Sequence, residues 1–249
     1  MIDTHIHLND EAFDGILESI IEEAKKNNVN RMIVIGCDYN TSVKAIEIAS
    51  AYENVYAIIG LHPSEVDKEK DINLSWLRSL VKHEKVIGIG EIGIDLYWTK
   101  ENKDLQVEYF KKQLDLALEL NMPISVHSRD AIELTYNILS EKPYKGIIHC
   151  FSGSLEMAKR FIDKGYYLGI GGVVTFKNTK LKDVVKEIPL SCIVSETDAP
   201  YLAPTPFRGK LNKPEYIKLI VEEIANIKGV SASEVEKQID LNVFSIFGI

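Results

Sequence analysis

The sequence predicts a single α/β domain over residues 1–249, a (β/α)8 barrel of the TIM type, and three observations predict it. Short apolar or β-branched runs alternate with longer amphipathic stretches from one end of the chain to the other, and there are eight such runs. Their starts, at residues 2, 31, 55, 86, 123, 146, 166 and 192, lie about 27 residues apart on average, the length of one βα unit with its loops. The chain is also of the size, about 250 residues, at which such barrels form one domain without a linker. A doubly wound sheet would need a glycine-rich phosphate turn after an early strand. Here the first strand ends in a histidine pair, and the string Gly88, Gly90, Gly93 does not open a helix.

Taken in order, residues 2–7 form the first strand and carry His5 and His7, and a helical pattern follows over 13–27. Strands at 31–36 and 55–60 enclose a helix at 41–51, and a third helix occupies 74–82. The fourth strand, 86–91, ends on Glu91 and leads to a helix over 103–121, where Leu105, Tyr109, Leu116 and Leu120 draw the clearest apolar stripe. The fifth strand, 123–127, ends on His127 and the sixth, 146–149, on His149, with helices at 130–140 and 155–164. Strands at 166–170 and 192–196 flank a helix at 181–186. Two helices close the chain, 214–227 with Pro214 in its first turn and 232–247 behind Ser231 as N-cap.

Composition narrows the function classes. With 45% hydrophobic and 27% charged residues the chain is neither disordered nor collagen-like. Its longest apolar runs fall short of the roughly 18 residues of a membrane span, and no signal-peptide pattern opens it, so a cytoplasmic protein without membrane attachment is expected. Cys37, Cys150 and Cys192 are an odd number at unrelated spacings, which reads as buried thiols rather than disulfides. A net charge of −8 argues against a broad phosphate-binding face, so any nucleic-acid contact should be local. Nothing suggests an obligate protein partner, and a monomer is expected.

The histidines carry the chemistry. His5 and His7 are two apart on a strand and so project from one face, toward the C-terminal mouth of a barrel. A single strand histidine is most often a core residue, and even the pair is ambiguous alone. Five of the six histidines, His5, His7, His62, His127 and His149, fall at strand ends, where random placement would put about 0.6; His83, at the end of the third helix, falls outside the set. Glu91 and Asp198 stand at the same mouth. Four imidazoles and two carboxylates suit two divalent ions, with Glu91 as the natural bridge, and such a pair can hold a hydroxide for hydrolysis. Mg2+ is the expected working ion, with Zn2+ or Mn2+ able to replace it. Asp198, beside the ion and the water, is placed to act as ligand or as general base.

The motifs Asp3-Thr4-His5-Ile6-His7-Leu8, Gly60-Leu61-His62-Pro63, Gly90-Glu91-Ile92-Gly93-Ile94-Asp95, His127-Ser128-Arg129, His149-Cys150-Phe151-Ser152-Gly153 and Glu196-Thr197-Asp198-Ala199-Pro200-Tyr201-Leu202 resemble, in order and over the whole chain, those of the TatD-type metal-dependent deoxyribonucleases. The resemblance implies an amidohydrolase-like TIM barrel and metal-dependent phosphodiester hydrolysis. It also implies His5, His7, Glu91 and Asp198 on one ion and Glu91, His127 and His149 on the other. By the same resemblance His62, Arg129, Arg208 and Lys210 meet the substrate phosphate. Glu196 is placed either to orient a ligand from behind, as outer carboxylates do, or to make a barrel-bottom or loop hydrogen bond. The sequence departs from the family pattern at Leu211 and Lys213, where a basic and an acidic residue are usual.

The leading functional expectation is an exonuclease acting on DNA strand ends, which suits a chain of acidic net charge. The alternative is hydrolysis of a carboxylic ester or amide, such as an aminoacyl-tRNA ester, because the same hydroxide can attack a carbonyl. A non-catalytic metal-stabilised scaffold ranks below both. Closed structural sites favour four Cys and His ligands, whereas this set is rich in oxygen.

Overall fold

The strands β1 (Ile2–Ile6), β2 (Arg31–Ile35), β3 (Val55–Ile59), β4 (Val86–Asp95), β5 (Ile124–Arg129), β6 (Gly146–Ile148), β7 (Tyr167–Ile170) and β8 (Ile193–Ser195) are all parallel and pair in chain order. These are the contents of a computed structural model that describes residues 1–249. Nine helices alternate with or follow them: α1 (Leu17–Lys26), α2 (Tyr39–Ala51), α3 (Ser75–Leu80), α4 (Lys103–Glu119), α5 (Ile132–Leu139), α6 (Leu155–Asp163), α7 (Leu181–Glu187), α8 (Ile217–Lys228) and α9 (Ala232–Phe247). The architecture is the expected (β/α)8 barrel. No helix is long and apolar enough to cross a membrane.

Parallel strands covered on both faces must be apolar on both, and β2 shows how the faces divide. Met32 and Val34 join the core between sheet and helices, while Ile33 and Ile35 turn the other way and pack with Ile58 against Ile87, Phe247 and Ile249. Phe110 and Phe161, fully buried under the helical layer, each stabilise the fold by roughly 1.5–3 kcal/mol. Capping boxes at Asp38/Thr41 and Ser231/Glu234 start α2 and α9, and Gly229 in the left-handed region ends α8.

The barrel closes differently at its last seam. Between β8 and β1 side chains supply the bonds that a ladder supplies elsewhere: the Thr4 hydroxyl donates to Ser195 O (3.0 Å) and the Ser195 hydroxyl to Ile2 O (2.9 Å). Past the end of β8, Asp198 N–H donates to His5 O and Ala199 O accepts from His7 N–H. The Asp3 carboxylate, enclosed in the same seam, accepts from Thr197 N–H at 2.9 Å and from the Thr197 hydroxyl at 2.5 Å.

Several boundaries differ from the sequence reading. The fourth strand continues past Glu91 to Asp95, because Gly93, Ile94 and Asp95 pair with His127, Ser128 and Arg129 of an equally extended β5. Gly93, at φ 150°, packs so closely on the His127 carbonyl that a Cβ would collide with it. Phe13 lies in a separate 3-10 turn, Glu11–Phe13, with Gly15 at φ 75° between it and α1. The eighth helix is preceded by its own 3-10 turn, Pro214–Tyr216. All three cysteines are free, as expected, but half-buried rather than buried, since Cys37 and Cys150 lie just beyond strand ends at the mouth.

Candidate metal centre

The centre is assembled from strand ends on one rim. His5 lies in β1 and His7 one residue past it, so strand alternation turns both rings inward, with centroids 5.1 Å apart. Across from them, Glu91 Oε2 lies 3.4 Å from His5 Nε2 and 3.9 Å from His7 Nε2. Its other oxygen, Oε1, lies 2.8 Å from His127 Nδ1, 3.6 Å from His149 Nε2 and 3.7 Å from His62 Nε2. One carboxylate therefore faces two sets of histidines, a set to each oxygen. Asp198 Oδ1 lies 3.4 Å from His7 Nε2 and 3.8 Å from both His5 Nε2 and His149 Nε2. Asp198 takes φ 58°, a left-handed conformation that Asp tolerates better than most residues, and its N–H on His5 O fixes it there.

These donors fit a divalent cation. His5 Nε2 is buried with no hydrogen-bond partner, a situation that costs about 1–3 kcal/mol unless something fills it. The His5 ring stacks on His149 at 3.4 Å between centroids, and burial, aided by the His149 charge, holds His5 below its ordinary pKa and so in the ligating form. Donor atoms of His5, His7 and Asp198 lie within 4.8 Å of one another, as do those of His62, Glu91 and His127. Imidazole nitrogen mixed with carboxylate oxygen suits Mn2+ or Zn2+ and accepts Mg2+ at the oxygens. Burial opposes ionisation of Glu91, yet the surrounding rings of His62, His5, His149 and His127 outweigh it and hold the carboxyl well below its usual range.

Behind the donors stands a supporting layer. Glu196 Oε1 lies 3.1 Å from His149 Nδ1 and accepts the Cys150 N–H at 2.6 Å, so Glu196 does stand behind a donor histidine. Burial works against a charged His149, but Glu196 and Glu91 override it and raise the ring to about 9. Gly169 leaves the space for the Glu196 carboxylate, into which any Cβ there would run.

Two residues at this centre were not singled out from the sequence. Asp95 Oδ2 lies 3.1 Å from His127 Nε2, and Cys37 Sγ lies 3.8 Å from Glu91 Oε2. The signal for Asp95 was present: alternation along β4 puts residues 91, 93 and 95 on one face. The signal for Cys37 was weaker, a thiol at the end of an apolar run.

The six residues expected as ligands, His5, His7, Glu91, His127, His149 and Asp198, stand together. His62, expected at the same mouth and toward the phosphate, lies beside them: its ring meets His127 edge-on at 4.5 Å, its Nδ1 accepts the Ser64 N–H at 3.1 Å, and burial pushes its pKa down to about 3. The three cations expected near a phosphate make no ion pair with the cluster. Arg129 stacks on Tyr97 at 3.7 Å from its ring centre, Arg208 on Phe176 at 3.8 Å, and Lys210 lies 5.9 Å from the Phe207 ring centre.

The family model described as TatD related DNase matches residues 2–248. The chain is 44% identical over 253 residues to an uncharacterized metal-dependent hydrolase, YabD, of Bacillus subtilis strain 168, covering 100% of this chain and 99% of the relative. It superposes on the crystal structure of YjjV, a TatD homolog from Escherichia coli K12, with a TM-score of 0.95 at 30% identity, over 100% of this chain and 98% of that one. A hydrolase TatD family protein from Entamoeba histolytica shares the fold with a TM-score of 0.88 at 23% identity, over 99% and 97% of the two chains.

Proposed function

The chain belongs to the TatD-related DNase family of metal-dependent hydrolases, and on that premise we propose that it removes nucleotides from DNA strand ends by hydrolysing phosphodiester bonds with two divalent cations. The observation that carries this reading is the division of Glu91, with Oε2 toward His5 and His7 and Oε1 toward His127, His149 and His62. A carboxylate so placed has an oxygen for each of two cations. His5, His7 and Asp198 would complete the first and His127 with His149 the second, with His62 close enough to Glu91 Oε1 to serve either a cation or the phosphate. Bound divalent cations supply the acidification of a water molecule and the neutralisation of charge on the phosphate oxygens.

The protein's own groups do the rest. Asp198 takes a proton from the attacking water at its carboxylate, which the surrounding His7, His149 and His5 rings keep ionised although burial favours its neutral form. Asp95 behind His127 and Glu196 behind His149 hold those rings in place. Arg129 and Arg208 offer planar, permanently charged groups to the phosphodiester.

One purified sample tests the reading against a 5′-labelled DNA single strand, a small phosphodiester and an aminoacyl-tRNA, each with and without added Mg2+, Mn2+ or Zn2+. Stepwise shortening of the DNA strand that requires the cation is expected. Release of amino acid with intact DNA would replace the nuclease reading by ester hydrolysis, and inertness toward all three would leave a binding scaffold.

A further inference from the structure

We propose that Trp98 and Tyr97, in the loop after β4, form with Arg129 a platform on which an unpaired nucleobase stacks beside the scissile phosphate; the proposal rests on the nuclease reading and extends it to what holds the strand. Trp98 is 72% exposed and Tyr97 is 53% exposed. Single exposed apolar side chains are ordinary, but these two are organised. Their rings meet edge to face at 4.9 Å and 85°, and the Arg129 guanidinium lies 3.7 Å from the Tyr97 ring centre and 5.5 Å from that of Trp98. Tyr97 thus holds Arg129, and the indole of Trp98 is left turned to solvent with most of its surface unused.

The platform is wired to the metal centre. Asp95 Oδ1 accepts the Tyr97 N–H at 2.9 Å, while Asp95 Oδ2 lies 3.1 Å from His127 Nε2. Leu96 N–H donates to Arg129 O, so the loop is pinned to the end of β5. Arg129 is two residues beyond His127 on the same strand, hence on the same face and roughly 7 Å further out along it.

The occupant follows from chemistry. A net charge of −8 argues against a broad cationic surface with which to hold a strand. Aromatic faces do that work regardless of sequence, because every base has a π-face, and an arginine in the same stack adds one charge for the adjoining phosphate. An unpaired base at a strand end is the ligand that needs both.

The test is binding of two fluorescein-labelled thymidine hexamers with nuclease-resistant phosphorothioate links, one with its bases and one abasic, followed by anisotropy with Mn2+ present. Trp98→Ala should weaken binding of the base-bearing strand at least about fivefold, whereas Trp98→Phe, which keeps a stacking face, should stay within about threefold of the parent. The abasic strand should bind the parent and Trp98→Ala alike. With unlabelled strand, quenching of tryptophan emission should appear in the parent and vanish in Trp98→Phe while affinity persists. The proposal is overturned if Trp98→Ala binds the base-bearing strand as the parent does, if both strands lose equally, or if the parent does not prefer bases. Digestion of unmodified strand by the parent separates the two failures: cleavage without base preference removes the platform alone, and absence of both cleavage and binding removes the nuclease reading with it.

Discussion

Glu196, wholly buried, holds its Oε1 3.1 Å from His149 Nδ1, which leaves Nε2 as the nitrogen that His149 turns toward Glu91 and Asp198. The Glu196 carboxylate, shut off from solvent, thus stands directly behind the ring and raises its basicity.

Glu196→Gln keeps an acceptor for the Cys150 N–H but removes the charge. Metal affinity should fall about 10- to 100-fold with the fold intact. Isothermal titration with Zn2+ or Mn2+, beside a circular dichroism spectrum, reads this. Gly169→Ala, which crowds the same carboxylate, should act in the same direction. Unchanged affinity in both variants would mean that Glu196 does not govern the His149 ring.

Glu91→Gln addresses the number of ions. The parent protein, stripped with chelator and reloaded, should hold close to two equivalents by elemental analysis, and the variant one or fewer, because an amide offers a single good ligand oxygen. A parent that never exceeds one equivalent would end the bridging role.

Asp198→Asn separates ligand from base. The amide oxygen still reaches the metal, but basicity is gone, and turnover on a DNA end should drop about 10²-fold or more while metal remains bound. Turnover within about tenfold of the parent in the metal-loaded variant would assign the proton to another group.

Arg208→Ala removes a guanidinium that Phe176 holds by stacking. The Michaelis constant on a DNA end should rise roughly tenfold, as expected for a lost charge-assisted bond, with metal content unchanged. An unaltered Michaelis constant and turnover would show that Arg208 faces away from the strand.

Much of the barrel and of the donor set was legible because both follow short-range rules. Period-two alternation put His5 and His7 on one face, and repeated apolar runs of βα length counted out eight strands. Asp95 escaped because the fourth strand was ended on Glu91, whereas the missing side chains of Gly88, Gly90 and Gly93 let β4 lie tightly along β5 as far as Asp95. His62 was read at the same mouth, but its closeness to Glu91 and His127 was not legible. It lies three residues past β3, where the path of a loop is set by contacts such as His62 N–H on Cys37 O that no periodicity encodes. The seam between β8 and β1 joins residues 191 apart through hydroxyl groups, a pairing invisible to any local pattern.

That seam also sets an order of events during synthesis. His5 and His7 belong to the first strand of the barrel and its end, and Asp198 is made only after seven further strands. The Thr4 to Ser195 bond joins positions that a nascent chain must bring together at the cost of closing a very long loop. Until β8 docks, Asp198 has no His5 carbonyl to hold its left-handed backbone, and the first set of donors is short of a carboxylate. The meeting of His5, His7 and Asp198 therefore marks completion of the barrel, so a stalled chain carries the two histidines without the carboxylate that joins them.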